Sequence, residues 1–152
     1  MKRIRMATLW QPHPTNTHQD HVIAHVVGAT VLGYFRADEA LHFVLDIGFV
    51  WTVYLDGEMS LVPQSVGVSQ LSIAQDEKEA LARDVSSLDG GGAVAAGGAV
   101  TPAPPGCLIE EVEFYAGGEG HRILIRGEEA GLAVETSFVT REMLVEETGA
   151  LQ

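Results

Sequence analysis

The chain is 152 residues long, 46% hydrophobic and 20% charged, the size and composition of one folded domain over 1–152, not of a disordered or two-core protein. Acidic residues outnumber basic ones by 21 to 9, a formal net charge of -12, and a surface of that sign repels phosphate backbones, so nucleic acid is not an expected partner. The lone cysteine, Cys107, allows no internal disulfide and fits a reducing, cytoplasmic setting.

In chain order, Lys2, Arg3 and Arg5 make a small basic arm, too short for a nucleic-acid tract. Thr8, Gln11, His13 and Asn16 interrupt the segment after this arm, so no secretory signal is expected. Pro12 and Pro14 mark an irregular lead-in that ends at a short helix over 18–27, with Thr17 as N-cap, Asp20 as capping-box acid and Gly28 as stop. The β-branched Val22, Ile23, Val26 and Val27 argue for a strand in the same place.

From Ala29 a β-rich run leads through residues 36–40 into a second run over 41–55, a hairpin. Leu41, Phe43, Leu45, Ile47, Phe49, Trp51, Val53 and Leu55 alternate onto one apolar face, leaving His42, Asp46, Thr52 and Tyr54 on a polar one. The second run is long for one strand, so Gly48 marks a bulge, a bend or a break. The same run is interrupted by charge and falls short of the roughly 20 residues of a spanning helix, so no membrane span is expected. Asp56-Gly57 makes a two-residue hairpin turn, and Pro63 stops the returning strand.

Ser72 and Gln75 open an amphipathic helix over 72–88, with Ala74, Leu81, Val85 and Leu88 on one stripe and Gly90 as stop. The Gly/Ala/Pro-rich stretch 90–106 reads as a flexible loop. Runs at 108–115, 121–127 and 132–138 form a three-stranded meander, and Thr140 caps a last short helix through Glu147. The fold class is α+β: about six or seven antiparallel strands in hairpins, one amphipathic helix and short helices near both ends.

Four of the six histidines crowd into His13, His18, His21 and His25. On a helix, His18, His21 and His25 share one face and offer a transition metal three imidazoles, with Asp20 or Asp46 completing the set. On a strand, His18 leaves that face and the set is lost. Asp46, set mid-strand, is a candidate catalytic carboxylate paired with a histidine. Cys107 reads as a buried, inert thiol. The glycine clusters match neither a Walker loop nor a dinucleotide fingerprint.

Phe43, Phe49, Trp51 and Tyr54 build a core or line an apolar ligand pocket, and aromatic residues concentrated in 29–55 also suit a homodimer interface. These residues are compatible with three functions. The first is a non-catalytic binding or regulatory protein, acidic, homo-oligomeric or bound to a basic protein partner. The second is a small metal-dependent, hydrolytic enzyme on His18, His21 and His25 with Asp46 or Glu58 as base. The third is a binder of small apolar ligands between sheet and helix.

Overall fold

Asn16 opens the first helix, α1 (Thr17–Val26), one residue before the expected cap. Its side chain accepts from the Gln19 N–H at 2.7 Å, and Gln19 Oε1 accepts from the Asn16 N–H at 2.9 Å, the reciprocal arrangement of a capping box. Asp20, expected as the box acid, instead accepts from the Thr15 hydroxyl. Val22 and Val26 fall one turn apart and are both buried, so packing overrides the β preference of their branched side chains. The computed structural model describes residues 9–94 and 98–149, and Lys2, Arg3 and Arg5 lie outside them.

The apolar run 41–55 is two strands, β3 (Ala40–Leu45) and β4 (Phe49–Tyr54), which reverse at 46–48 with Gly48 at φ +80°. Asp46 therefore sits in a turn, not mid-strand. The facing is kept across the reversal, since Phe43 pairs with Trp51 and Val44 with Val50. The preceding strand β2 (Val31–Ala37) pairs with β3, and β5 (Met59–Pro63) pairs with β4 through the Asp56-Gly57 turn. With the two-residue strand β6 (Thr101–Pro102) beside β2, the order of this sheet is β5-β4-β3-β2-β6.

The second sheet, again five-stranded and antiparallel, runs β1-β7-β8-β9-β10. It comprises β1 (Gln11–Pro12), β7 (Ile109–Ala116), β8 (Gly120–Gly127), β9 (Gly131–Ser137) and β10 (Glu142–Thr148). The last element corrects the sequence reading: 142–148 is a strand, not a helix capped by Thr140. Met143 enters the core and Val145 packs against it while Glu142, Leu144 and Glu146 stay exposed, a period of two. The hairpin also gives the segment a backbone ladder from Glu142↔Ser137 to Thr148↔Gly131.

The sheets face each other across one core, with Phe43, Leu45, Trp51 and Val53 opposite Ile109, Ile123, Ile125, Leu132 and Val134, and Val22 and Val26 of α1 joining them. An antiparallel bridge between Thr30 and Leu108 ties the sheets where β2 and β7 begin. Two helices, α2 (Gln64–Ser69) and α3 (Gln75–Asp89), cover the outer face of the first sheet through Val68, Leu81, Val85 and Leu88, packed with Phe35 and Val44. Burying each such side chain contributes roughly 1.5–3 kcal/mol.

All six residues of β3 are buried as a result. His42 and Thr52, expected on a solvated face, are 5% and 3% exposed, because alternation identifies one apolar face and is silent on whether helices cover the other. Helix α3 starts at Gln75 with Ala74 as N-cap, where Glu77 Oε1 accepts the Ala74 N–H at 3.2 Å, so Ser72 does not cap it. The short α2 after Pro63 has no counterpart among the elements expected from sequence.

The stretch 90–106, expected as a loop, is partly built into the sheet. Asp84 of α3 accepts from the N–H groups of Ala99 and Val100 at 2.7 and 3.0 Å, and β6 pairs with Gly33 and Tyr34. A Cβ on Gly33 would stand 2.8–2.9 Å from Val100, Leu88 and the Thr101 carbonyl, so only glycine admits this approach. No described helix is long and apolar enough to cross a membrane.

Candidate functional site

Helix α3 carries two stripes. Leu81, Val85 and Leu88 pack on the sheet, while Gln75, Lys78, Glu79, Ala82, Ser86 and Asp89 recur at steps of three and four along its outer side. The second stripe faces Gln64, Ser65, Val68 and Ser69 of α2 across a cleft of about 480 Å³. The helices are cross-linked at both ends. Gln64 Nε2 donates to Asp89 Oδ1 at 3.3 Å and to the Leu45 carbonyl at 3.0 Å, and Lys78 Nζ donates to the Ser69 carbonyl at 2.9 Å.

These bonds make the helices antiparallel neighbours. Asp89 therefore stands at one end of the cleft and Lys78, with Glu79 beside it, at the other. The eleven-residue step from 78 to 89 spans about 16 Å of helix axis. The floor, Val68 and Val85, belongs to the buried cluster beneath, which holds the walls in place. Glu79 and Asp89 are about 15 Å apart along the axis, too far to share a proton or flank one reacting bond. What the cleft offers is an apolar floor with hydroxyl, amide and charged groups around it.

The sequence candidates lie elsewhere and do not converge. His18, His21 and His25 are on α1 as expected, but His18 Nε2 donates to the Met59 carbonyl at 2.9 Å and His25 Nδ1 donates to the His21 carbonyl at 2.8 Å. Among the described residues no group of three or more His, Cys, Asp or Glu side chains is arranged to hold a metal ion. Asp46 is exposed and accepts from the Thr30 N–H at 2.8 Å, locking the ends of β2 and β3, and its partner is backbone, not histidine. Glu58 accepts from the Asn16 amide at the start of α1.

Phe43 and Trp51 are fully buried with ring centroids 5.2 Å apart, while Phe49 and Tyr54 are exposed at the sheet margin, so the four do not line one pocket. Cys107 is buried, and burial, with Glu147 adding to it, pushes its thiol up to about 11, as an inert thiol requires.

Two histidines that sequence spacing did not single out do have displaced protonation. His42 is held on both ring nitrogens, with Nε2 donating to the Ala37 carbonyl at 3.0 Å and Nδ1 accepting from the Thr52 hydroxyl at 2.8 Å. Its ring stacks on Phe35 at 4.8 Å, and burial holds its pKa below the ordinary histidine value. His121 stacks on Phe114 at 5.2 Å with His13 6.1 Å away, and its buried Nδ1 has no hydrogen-bond partner among the described residues. Burial, then the neighbouring His13, lowers its pKa against the opposing pull of Asp56 and Glu58.

Comparison of the chain with protein-family models, with curated proteins and with solved structures finds no match. The cleft is hidden from sequence reasoning because α2 carries no sequence signal that separates it from a loop. The polar repeat at 75, 78, 79, 86 and 89 is the visible signal, and it reads equally as a solvated helix face.

Proposed function

We propose that this chain is a non-catalytic binding protein whose ligand sits in the α2–α3 cleft. The observation that carries this reading is the cleft itself. Its volume of about 480 Å³ falls in the range of roughly 300–1,000 Å³ typical of ligand sites, and eight of its eleven lining residues are polar or charged around the apolar Val68, Ala82 and Val85, a lining suited to a small polar ligand. The side chains with displaced protonation, among them His42, Cys107, His121 and the Glu113–Tyr115 pair, stand outside it.

A screen of small polar molecules by two-dimensional NMR on the full chain tests the reading, with Ala82→Trp as the control that fills the cleft. Ala82 is exposed, so the larger ring blocks the cleft and spares the core. Shifts mapping to 64–69 and 75–89 and lost in the variant support the reading. Binding that maps elsewhere, or survives the substitution, defeats it.

The reading includes a homodimer in a cytoplasmic, reducing setting. Support for the setting is the single buried thiol. The dimer surface expected within 29–55 is largely covered by α2 and α3, but Phe138, Val139 and Leu144 on the β9–β10 hairpin are 51%, 63% and 48% exposed, apolar area that a second copy would bury. Light scattering behind size exclusion should give twice the 16.3 kDa chain mass. A mass of one chain at micromolar concentration removes the dimer from the proposal.

A further inference from the structure

We infer that the free edge of β10 takes an extended basic segment of a partner protein as an added antiparallel strand, with lysine or arginine opposite Glu142 and Glu146 and an apolar residue opposite Leu144. This edge belongs to the second sheet, not to the one that α2 and α3 cover, so its occupant is independent of what the cleft holds. Four strands end the two sheets, and three of them are blunted. β1 and β6 are two residues long. β5 ends in Pro63, and His18 of α1 bonds to its Met59 carbonyl. β10 is seven residues long, pairs with β9 in unbroken register from Glu142 to Thr148, and contains no proline, glycine or lysine. Among the described residues its backbone bonds only to β9, so the N–H and C=O groups on its other side form an open ladder.

The side chains along that ladder decide what can join it. Glu142, Leu144 and Glu146 project from one face and are exposed, and Glu147 projects, also exposed, from the other. The arginines of the neighbouring strands are spent inside the sheet, Arg126 on Glu111 and Glu113 and Arg122 on Glu135, while Arg141 pairs with Glu39. Glu142, Glu146 and Glu147 have no cationic partner among the described residues. A second copy paired antiparallel through β10 about Leu144 would set Glu142 against Glu146, and one centred between Leu144 and Val145 would set Glu142 against Glu147. Like charges directly opposite destabilise a strand pair, so the edge rejects its own copy. The same carboxylates make favourable cross-strand pairs with a strand whose alternate residues run basic, apolar, basic. Main-chain bonds hold such a strand and the alternate side chains select it. Phe138 and Val139 stand in the turn before β10 and stay free for a second copy.

The test is NMR titration of the isotopically labelled full chain at low salt with a capped heptapeptide, Thr-Lys-Lys-Thr-Val-Thr-Lys. Its antiparallel register puts lysine opposite Glu147, Glu146 and Glu142 and valine opposite Leu144. One control peptide carries proline at the two threonines flanking the valine, which keeps the charge but removes ladder donors. Another carries glutamate at the three lysines. The protein variant is Glu142→Lys/Glu146→Lys, both positions being exposed. The lysine peptide should shift 142–148 saturably, with a dissociation constant on the order of 1 mM, and slow amide exchange at the outward N–H groups of β10. Both control peptides should bind about tenfold more weakly or less, and the variant should prefer the glutamate peptide. Equal binding of the proline peptide means that charge alone holds the probe, and overturns the added strand. Absent binding, shifts centred elsewhere, or an unchanged preference in the variant also overturn it. If concentrating the peptide-free chain protects those N–H groups, a second copy takes the edge and the basic partner is refuted.

Discussion

His42→Phe isolates a polar contact buried between two apolar layers. The substitution keeps an aromatic ring stacked on Phe35 but removes both hydrogen bonds, leaving the Ala37 carbonyl and the Thr52 hydroxyl without their histidine partner. Each orphaned group costs about 1–3 kcal/mol when buried. The Ala37 bond is only partly buried, so a total of about 2–4 kcal/mol is expected. Adding Thr52→Val removes the orphaned hydroxyl and should recover at least about 1 kcal/mol.

The same histidine should make stability pH-dependent. Burial lowers its folded-state pKa, so as pH falls through the ordinary imidazole value of about 6.5 the unfolded chain takes a proton that the folded chain refuses. Stability is therefore fully present above that value and lost below it, at up to about 1.4 kcal/mol per pH unit from this group. Urea unfolding followed by tryptophan fluorescence at pH 7.5 and 5.5 measures both effects. The variant should be less stable at pH 7.5 and lose less on acidification. A loss under about 0.5 kcal/mol at pH 7.5, or an unchanged acid slope, would refute the reasoning.

Three further outcomes are expected. Gly33→Ala should cost about 1–3 kcal/mol and raise amide exchange at 99–103, because its methyl meets the Thr101 carbonyl backbone, which must shift with β6. An unchanged melting temperature would contradict that close approach. Cys107, its thiol pushed up to about 11, should have roughly one thiolate in four thousand at pH 7.4 and resist a disulfide reagent until urea is added, so labelling at the rate of a free thiol would show it accessible. In an NMR titration His121 should protonate below the pH of an ordinary exposed histidine, since burial and His13 oppose its charge. His121→Phe should flatten the acid limb of the stability curve, and a midpoint at or above the ordinary value would reverse that sign.

Features with a local period were legible in the sequence. The alternation of Leu41, Phe43 and Leu45 and of Trp51 and Val53 and the stripe of Leu81, Val85 and Leu88 each recur at the spacing of their element, because a side chain's direction is set by its own backbone, whereas Ile47 and Phe49, on either side of the turn's Gly48, are exposed. The first helix was legible too, off by one residue in its cap, since Asn16 and Thr17 are both competent and only the bond to Gln19 chooses. Residues 142–148 were not legible. Thr140 followed by mixed apolar and acidic residues satisfies a short helix as well as a strand, and pairing with β9 decided between them.

Burial of His42 and the meeting of Gln64 with Asp89 were beyond any local pattern. One depends on helices arriving over the second face of β3, and the other joins positions 25 residues apart in the chain. Sequence by itself determined the periods and the acid charge. Only the tertiary structure decided which polar face was sealed and which became a cleft, because both depend on how α2 and α3 pack across the sheet and not on any residue's own conformational preference.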